Sequence, residues 1–249
     1  MSFSVLMSVY KNDTSLNFLE AINSILINQS VVPDEVVVVV DGPVGGDLRK
    51  TIESYASNIV RIFWLKENLG LGKALAYGLD NCSNNLVARM DSDDISISER
   101  FEIQLSEFQL DPSLAVIGGQ IMEFAETTED IMGRRKVPTT HAAIKRRSRF
   151  RNPMNHMTVM FRKDYVLAVE GYKSMYFYED YYLWLRLLAK GYRLKNVSQD
   201  LVFARAGANL VSRRRGLDNA KNEWNFYRMS RKENLLNPLT AIFLGVIRS

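Results

Sequence analysis

Three carboxylates stand together in Asp91-Ser92-Asp93-Asp94, directly after the stretch LVARM. Like charges this close repel, and each is costly to take out of water. Two chemistries account for them. Carboxylates in this spacing hold a hard divalent cation and leave coordination positions for water and phosphate oxygens. An acidic, solvated turn that caps the following helix through Asp94 or Ser96 needs no metal. A second pair, Glu179-Asp180, lies in FYEDYYLWLRL. There a carboxylate either complements the dipole of a helix start or serves as a general base within reach of the proton it removes. A third stretch, ENLGLGKALAYG at 67–78, offers Lys73 and free helix amides to an anion. It is not a phosphate-binding loop of the G-x-x-x-x-G-K-[ST] type, because Ala74 follows Lys73. Nor is it a dinucleotide fingerprint, because Leu75 stands at the third glycine.

Residues so far apart need a scaffold that gathers them. FSVLMSV at 3–9 reads as a short apolar strand. Residues 14–29 carry apolar positions at helical spacing, with Thr14 as N-cap. EVVVVVDG from Glu35 is a β-branched run without polar alternation, a strand covered on both faces. A helix near 46–57, a strand from Ile59, a helix in GKALAYGLDNC and a strand in NLVARMD continue the rhythm. Strand–helix alternation with short connections predicts an α/β fold built on a mainly parallel sheet between helices. Ligands of such sheets bind beyond the C-terminal ends of the strands. Ser8, Tyr10, Asp41, Asn68 and the Asp91–Asp94 cluster all fall at such ends and are expected to share one edge. Farther on, a helix is expected to open at Ser96 or Ser98 and stop before Pro112. A strand bent at Gly118 and Gly119 follows, then a polar, basic segment over 126–155 expected to include a mobile loop, a short strand entering a helix in MTVMFRKD, and an amphipathic helix ending at Gly191.

The single cysteine, Cys82, excludes an intramolecular disulfide and a cysteine-based zinc cluster. No basic leader precedes the first apolar run, and no segment reaches the roughly 18 apolar residues of a membrane span, so a cytoplasmic protein is expected. Charge is unevenly spread. Residues 1–130 hold 8 Lys/Arg against 20 Asp/Glu, a balance of −12, and residues 131–249 hold 24 against 8, a balance of +16. The second half is therefore expected to face an anion, whether a phosphorylated substrate, an anionic membrane or nucleic acid.

The order VLMSVYK, EVVVVVDG, ENLGLGKALAYG, ARMDSDD, NHMTVMFRKD, EDYYLWLRL resembles the family 2 glycosyltransferases of GT-A fold, over roughly residues 3–205. The resemblance implies a GT-A catalytic domain over 1–215 and a basic, amphipathic helical extension over 216–249. It implies an inverting transfer of a hexose, galactose or glucose, from a UDP-sugar. The acceptor would be a polyprenyl-diphosphate-linked saccharide at the inner face of a bacterial plasma membrane, in O-antigen or capsule synthesis, with no role for nucleic acid. By position, Ser8, Tyr10 and Asp41 would hold the nucleotide base, and Asn68 and Lys73 the uridine or its phosphates. Asp91 and Asp93 would hold Mn²⁺ or Mg²⁺, Asp93 as the direct ligand. Asp180 would be the base and Glu179 an acceptor-positioning group, with His156 and Arg205 facing acceptor or phosphate. Arg146, Arg147, Arg149, Arg151 and Arg213–Arg215 would approach the lipid diphosphate or head groups. Two departures stand out: Asp41-Gly42-Pro43 keeps one acidic residue where relatives have D-D-G-S, and His156 precedes Met157 rather than proline. The rival readings are a nucleotidyltransferase acting on a sugar phosphate and a non-catalytic basic module that binds membranes or nucleic acid.

Overall fold

The computed structural model describes residues 1–206 and 217–235. The first four strands and their helices follow the expected alternation. They are β1 (Phe3–Val9), α1 (Ser15–Leu26), β2 (Glu35–Val40), α2 (Gly46–Ser54), β3 (Val60–Trp64), α3 (Leu71–Asn81) and β4 (Leu86–Asp91). The Thr14 hydroxyl accepts the Asn17 N–H, the N-cap that its residue type promised. In the sheet these strands lie side by side as β3-β2-β1-β4, all parallel. The five valines of β2 are completely buried. Alternation sends Val36, Val38 and Val40 into one core with α1, α2 and Phe101, Leu105 and Phe108, and Val37 and Val39 into another with α3. Burying each such side chain contributes about 1.5–3 kcal/mol, so an unbroken apolar strand is stable only between two layers of helices.

Beyond β4 the sheet becomes mixed. It runs on through β8 (Met160–Arg162), β6 (Leu114–Phe124), β9 (Arg193–Arg205) and the two-residue β5 (Ile95–Ser96), with β7 (Ile131–Arg135) paired to β6. β8 is antiparallel to both β4 and β6, whereas β6 and β9 are parallel. The α/β fold with helices on both faces is as expected. The second half differs from expectation in detail. α4 (Arg100–Leu110) begins later than Ser98, because Ser96 pairs with Val202 in a strand. Residues 126–155, expected to include a loop, also contain β7 and α5 (His141–Arg147), neither of which was foreseen. β9 was not foreseen. The expected bend at Gly118–Gly119 is a register shift against β9 between Gly118 and Gln120.

α6 (Lys163–Leu167) follows β8 directly, and α7 (Glu179–Ala189) packs its apolar face into the second core through Leu183, Trp184, Leu187 and Leu188. Gly191, at φ 88°, closes α7 in the conformation glycine adopts freely. α8 (Leu217–Lys232) rests on α7 through Phe226, whose ring stacks 4.7 Å from Tyr178 and lies 4.9 Å from Tyr181. Arg213–Arg215 and the apolar stretch 239–247 lie outside the described residues. Among the described residues, no helix is long and apolar enough to cross a membrane.

Candidate active site

The parallel ladder fixes the first half of the site. Ser8 near the end of β1 pairs in register with Val39 on β2 and with Asp91 on β4, so these strand ends form one edge. Tyr10 follows, its N–H donating to Asp13 Oδ2 at 2.8 Å. Asp41, just past β2, is buried. Its carboxylate accepts the N–H groups of Leu69 (2.7 Å) and Gly70 (3.0 Å), and its carbonyl accepts Asn68 Nδ2 (3.1 Å). Asp41 thus ties the 68–70 loop to the sheet. Gly42 makes this approach possible: at φ 88° it sits so close that a Cβ would lie 2.6 Å from the Asn68 amide nitrogen. Lys73, in the first turn of α3, is exposed at the same edge.

The acidic turn follows β4. Asp91 forms an ion pair through Oδ1 with the guanidinium of Arg89. Burial, then the neighbouring Asp91 and Asp13 carboxylates, push Asp93 up to about 6. Burial and the same crowding push Asp94 well above the ordinary range. Asp94 does not cap α4: its Oδ1 accepts the Arg205 N–H at 2.9 Å, and its Oδ2 is buried with no protein partner among the described residues. Arg205, from the end of β9, also donates to the Asp93 carbonyl at 3.1 Å and to Glu20 at 2.5 Å. Its guanidinium therefore clasps the acidic turn to α1.

These residues suit a divalent cation of one kind. No group of three or more His, Cys, Asp or Glu side chains among the described residues forms a protein-only cage. Asp93 and the Asp91 oxygen not used by Arg89 form a two-carboxylate set, crowded enough that a cation relieves repulsion, and such a set relies on water and phosphate oxygens to complete it.

The second half of the site is the start of α7. Glu179 is buried, and burial pushes its carboxyl up to about 7. Asp180 is half-buried; burial raises it too, against hydrogen bonds from Asn152 Nδ2 (2.6 Å) and its own Tyr181 N–H (2.7 Å). The two carboxylates leave the first turn in different directions, as 3.6 residues per turn require. Glu179 lies against the start of α3: a Cβ placed on Gly72 would lie 2.9 Å from its Cγ and 2.8 Å from the Lys173 carbonyl. His156, in a short 3₁₀ turn at His156–Thr158, lies within 2.9 Å of the Tyr172 hydroxyl through Nε2, and burial, then Arg89, hold it well below its usual range. Arg149 and Arg151 are exposed in the segment that precedes Asn152.

The sequence matches a family model described as Glycosyl transferase family 2 over residues 4–167. The chain belongs to glycosyl transferase family 2. An Erwinia amylovora protein described as amylovoran biosynthesis glycosyltransferase AmsE is 39% identical over 228 residues, covering 91% of this chain and 85% of its own. An Escherichia coli protein described as a UDP-Gal:alpha-D-GlcNAc-diphosphoundecaprenol beta-1,3-galactosyltransferase is 37% identical over 253 residues, covering 98% of this chain and 91% of its own. Among solved structures, S. aureus TarS 1–349 in complex with UDP-GlcNAc superposes with a TM-score of 0.68 at 19% identity, over 91% of this chain and 65% of that one. The same TarS fragment without that ligand gives 0.60 at 21% identity, over 82% of this chain and 60% of that one. The chain thus spans about 60–65% of those solved chains, which share its fold. Membership makes the protein a glycosyltransferase and sets aside the nucleotidyltransferase and basic-module readings.

For this family 2 transferase the sequence reading missed four groups: Arg89, Asn152, Tyr172 and Gly72. Arg89 carried a signal, a charged residue inside an apolar strand and two residues before Asp91, hence on the same face. The contacts of the other three arise only from tertiary packing.

Proposed function

We propose that this family 2 enzyme transfers a hexose, galactose or glucose, from a UDP-sugar to a hydroxyl of a polyprenyl-diphosphate-linked saccharide in bacterial surface polysaccharide assembly. The observation that carries the reading is the abutment of α3 and α7. Gly72, in the turn that would receive the donor phosphates, touches Glu179, beside the base that would receive the acceptor proton. Donor and acceptor chemistry then share one edge. The donor, the lipid-linked acceptor and the surface-polysaccharide setting follow what the E. coli and E. amylovora relatives are described as acting on or building.

The reaction is a single in-line displacement. Asp180 accepts the hydroxyl proton as the acceptor oxygen bonds to C1. The bond from C1 to the diphosphate oxygen breaks on the opposite side, and its electron pair leaves with UDP, so an α-linked donor gives a β-linked product. Asn152 fixes the Asp180 carboxylate, and Glu179 positions the acceptor. Asp93 and Asp91 would hold a divalent cation, Mn²⁺ or Mg²⁺, which would supply charge to offset that gathering on the leaving diphosphate. Ser8, Tyr10 and the Asn68 loop held by Asp41 hold the uridine, and Lys73 faces the phosphates. Residues 1–215 form the catalytic domain and 216–249 a basic extension. The extension and the exposed arginines near Asn152 turn the protein toward an anionic membrane surface.

UDP release against a panel of nucleotide sugars, with a synthetic lipid-diphosphate acceptor and with and without Mn²⁺, tests this directly. Turnover is expected with UDP-galactose or UDP-glucose, and absence of UDP release with every donor rejects the reading. Binding to anionic vesicles is expected to fall as salt rises, since exposed charges are screened; equal binding to neutral vesicles removes the membrane part.

A further inference from the structure

Arg89 is a fully buried arginine inside β4, 2% exposed, in a strand whose other members are mostly apolar. Burying a guanidinium is costly unless its charge is matched and its N–H groups are bonded. Here one nitrogen pairs with Asp91, while Nε and Nη1 have no protein partner among the described residues. A purely structural arginine is normally satisfied. Its neighbour Arg100, equally buried, donates to Gln104 Oε1 (3.1 Å), the Met90 sulfur (3.2 Å) and the Arg89 carbonyl (2.6 Å). Arg89 instead lies on the strand face shared with Asp91, toward α3, α7 and the His156 turn. Burial opposes its charge, and Asp91 overrides burial and keeps it cationic. The same charge acts on Asp93 and Asp94 in the donor half and on Glu179 and Asp180 in the acceptor half.

We infer that Arg89 is a positioning residue for sugar transfer: one buried guanidinium that holds Asp91 in orientation for the donor and steadies the Glu179–Asp180 start of α7 for the acceptor. The inference rests on the transferase reading above. Arg89 pairs with Asp91 on the β4 face that packs toward α3 and α7, with Nε and Nη1 unpartnered among the described residues. With Asp91 Oδ1 taken by Arg89, the other Asp91 oxygen remains for water or a cation, and Asp93 would be the direct ligand. A neutral side chain at 89 frees Asp91 to rotate and leaves five carboxylates around the edge without their common counter-charge.

The test uses the full chain with Arg89→Met and Arg89→Lys, each alone and combined with Asp180→Asn. In calorimetry with UDP, Arg89→Met is expected to bind as wild type in EDTA, within about 2-fold, and to lose at least about 10-fold in affinity in Mn²⁺, the size of one charge-assisted contact. In transfer assays its kcat is expected to fall about 10²-fold, the usual result of sub-ångström misplacement, with the acceptor KM little changed. Arg89→Lys, which keeps the charge and loses the fork, is expected to recover part of both. Adding Asp180→Asn to Arg89→Met is expected to cost much less than adding it to wild type, because residues acting as a unit are non-additive. Unchanged Mn²⁺-dependent UDP affinity, or losses that simply multiply, overturns the inference and leaves Arg89 structural. Arg89→Lys decides if Arg89→Met fails to fold. The calorimetric arm needs no turnover, so a wild type that transfers no sugar rejects the transferase reading while Arg89 is still judged by UDP binding.

Discussion

Asp91 and Asp93 leave the end of a strand held in register on both sides, whereas Glu179 and Asp180 open a helix reached through an irregular segment with Phe177 at φ 68°. The first cluster is positioned by the strand ladder, by the Arg205 N–H on Asp94, and by the guanidinium groups of Arg205 on the Asp93 carbonyl and Arg89 on Asp91. The acceptor cluster is positioned by side chains: Asn152 on Asp180, Tyr181 on the Ser148 carbonyl, and the Phe226 ring from α8. A backbone-built site tolerates sequence change around it. A side-chain-built site is where an acceptor preference can change without disturbing the fold. The difference teaches that one carboxylate cluster is set by the sheet, and the other by the loops and helices laid over it.

The largest effect expected from breaking the donor side is at Asp93. Asp93→Ala removes the proposed cation ligand and is expected to lower kcat by about 10³-fold or more, the upper range for losing a stabiliser of developing charge. UDP affinity in Mn²⁺ should fall to its EDTA value, with circular dichroism unchanged. Full activity of purified Asp93→Ala in EDTA would show that the acidic turn is only a turn.

On the acceptor side, Asp180→Asn keeps the shape and the Asn152 neighbour but loses the basicity. Its kcat should drop about 10²-fold, with calorimetric UDP affinity unaltered. Glu179→Gln acts differently. A carboxyl held at about 7 when folded, against an ordinary value of 4.5, binds more protons in the native state than in the unfolded one. Stability therefore falls as pH rises from about 4.5 to about 7, and the loss is complete above that window. Glu179→Gln removes the penalty, so its melting temperature should exceed wild type at pH 8 and match it near pH 4. The sign is the test: a variant less stable than wild type at pH 8 would mean that the buried carboxylate is a stabilising partner.

The smallest effect probes the seam between the halves. Gly72→Ala forces a Cβ against the Lys173 carbonyl and Glu179 Cγ, and one of them must give way. A loss of about 1–3 kcal/mol in stability, typical of overpacking, is expected in chemical denaturation. The acceptor KM should rise more than the donor KM, because Glu179 moves and the Asp41-held loop does not. Equal changes in both would place the seam elsewhere.

The two regions also differed in how far the sequence exposed them. β1, β2 and β4 were legible because both faces are covered, so their runs are mainly apolar, interrupted inside only by Ser4 in β1 and Arg89 in β4. Ser8, Asp41 and Asp91 could then be found simply as the first polar residues at their ends. β9 was not legible: Lys195, Asn196, Ser198, Gln199 and Asp200 interrupt its apolar pattern, and its parallel partner β6 lies some 80 residues earlier. α5 was hidden within a basic run that reads as solvated charge. Asp180 came from its motif alone; that Asn152 holds it, and that Tyr172 binds His156, are facts of packing no spacing announces.

The hydrogen bond from the Arg205 amide to Asp94 joins residues 111 positions apart. A chain emerging from the ribosome has made β1 to β4 and the entire acidic turn long before residue 205 exists. Contacts of such separation form late, after the loop between them has been closed. Until then the carboxylates of the turn repel one another without their clasp, so a chain ending near residue 167 would hold the acidic turn but lack both Arg205 and the Glu179–Asp180 pair. The acidic turn is thus completed only when synthesis is nearly finished.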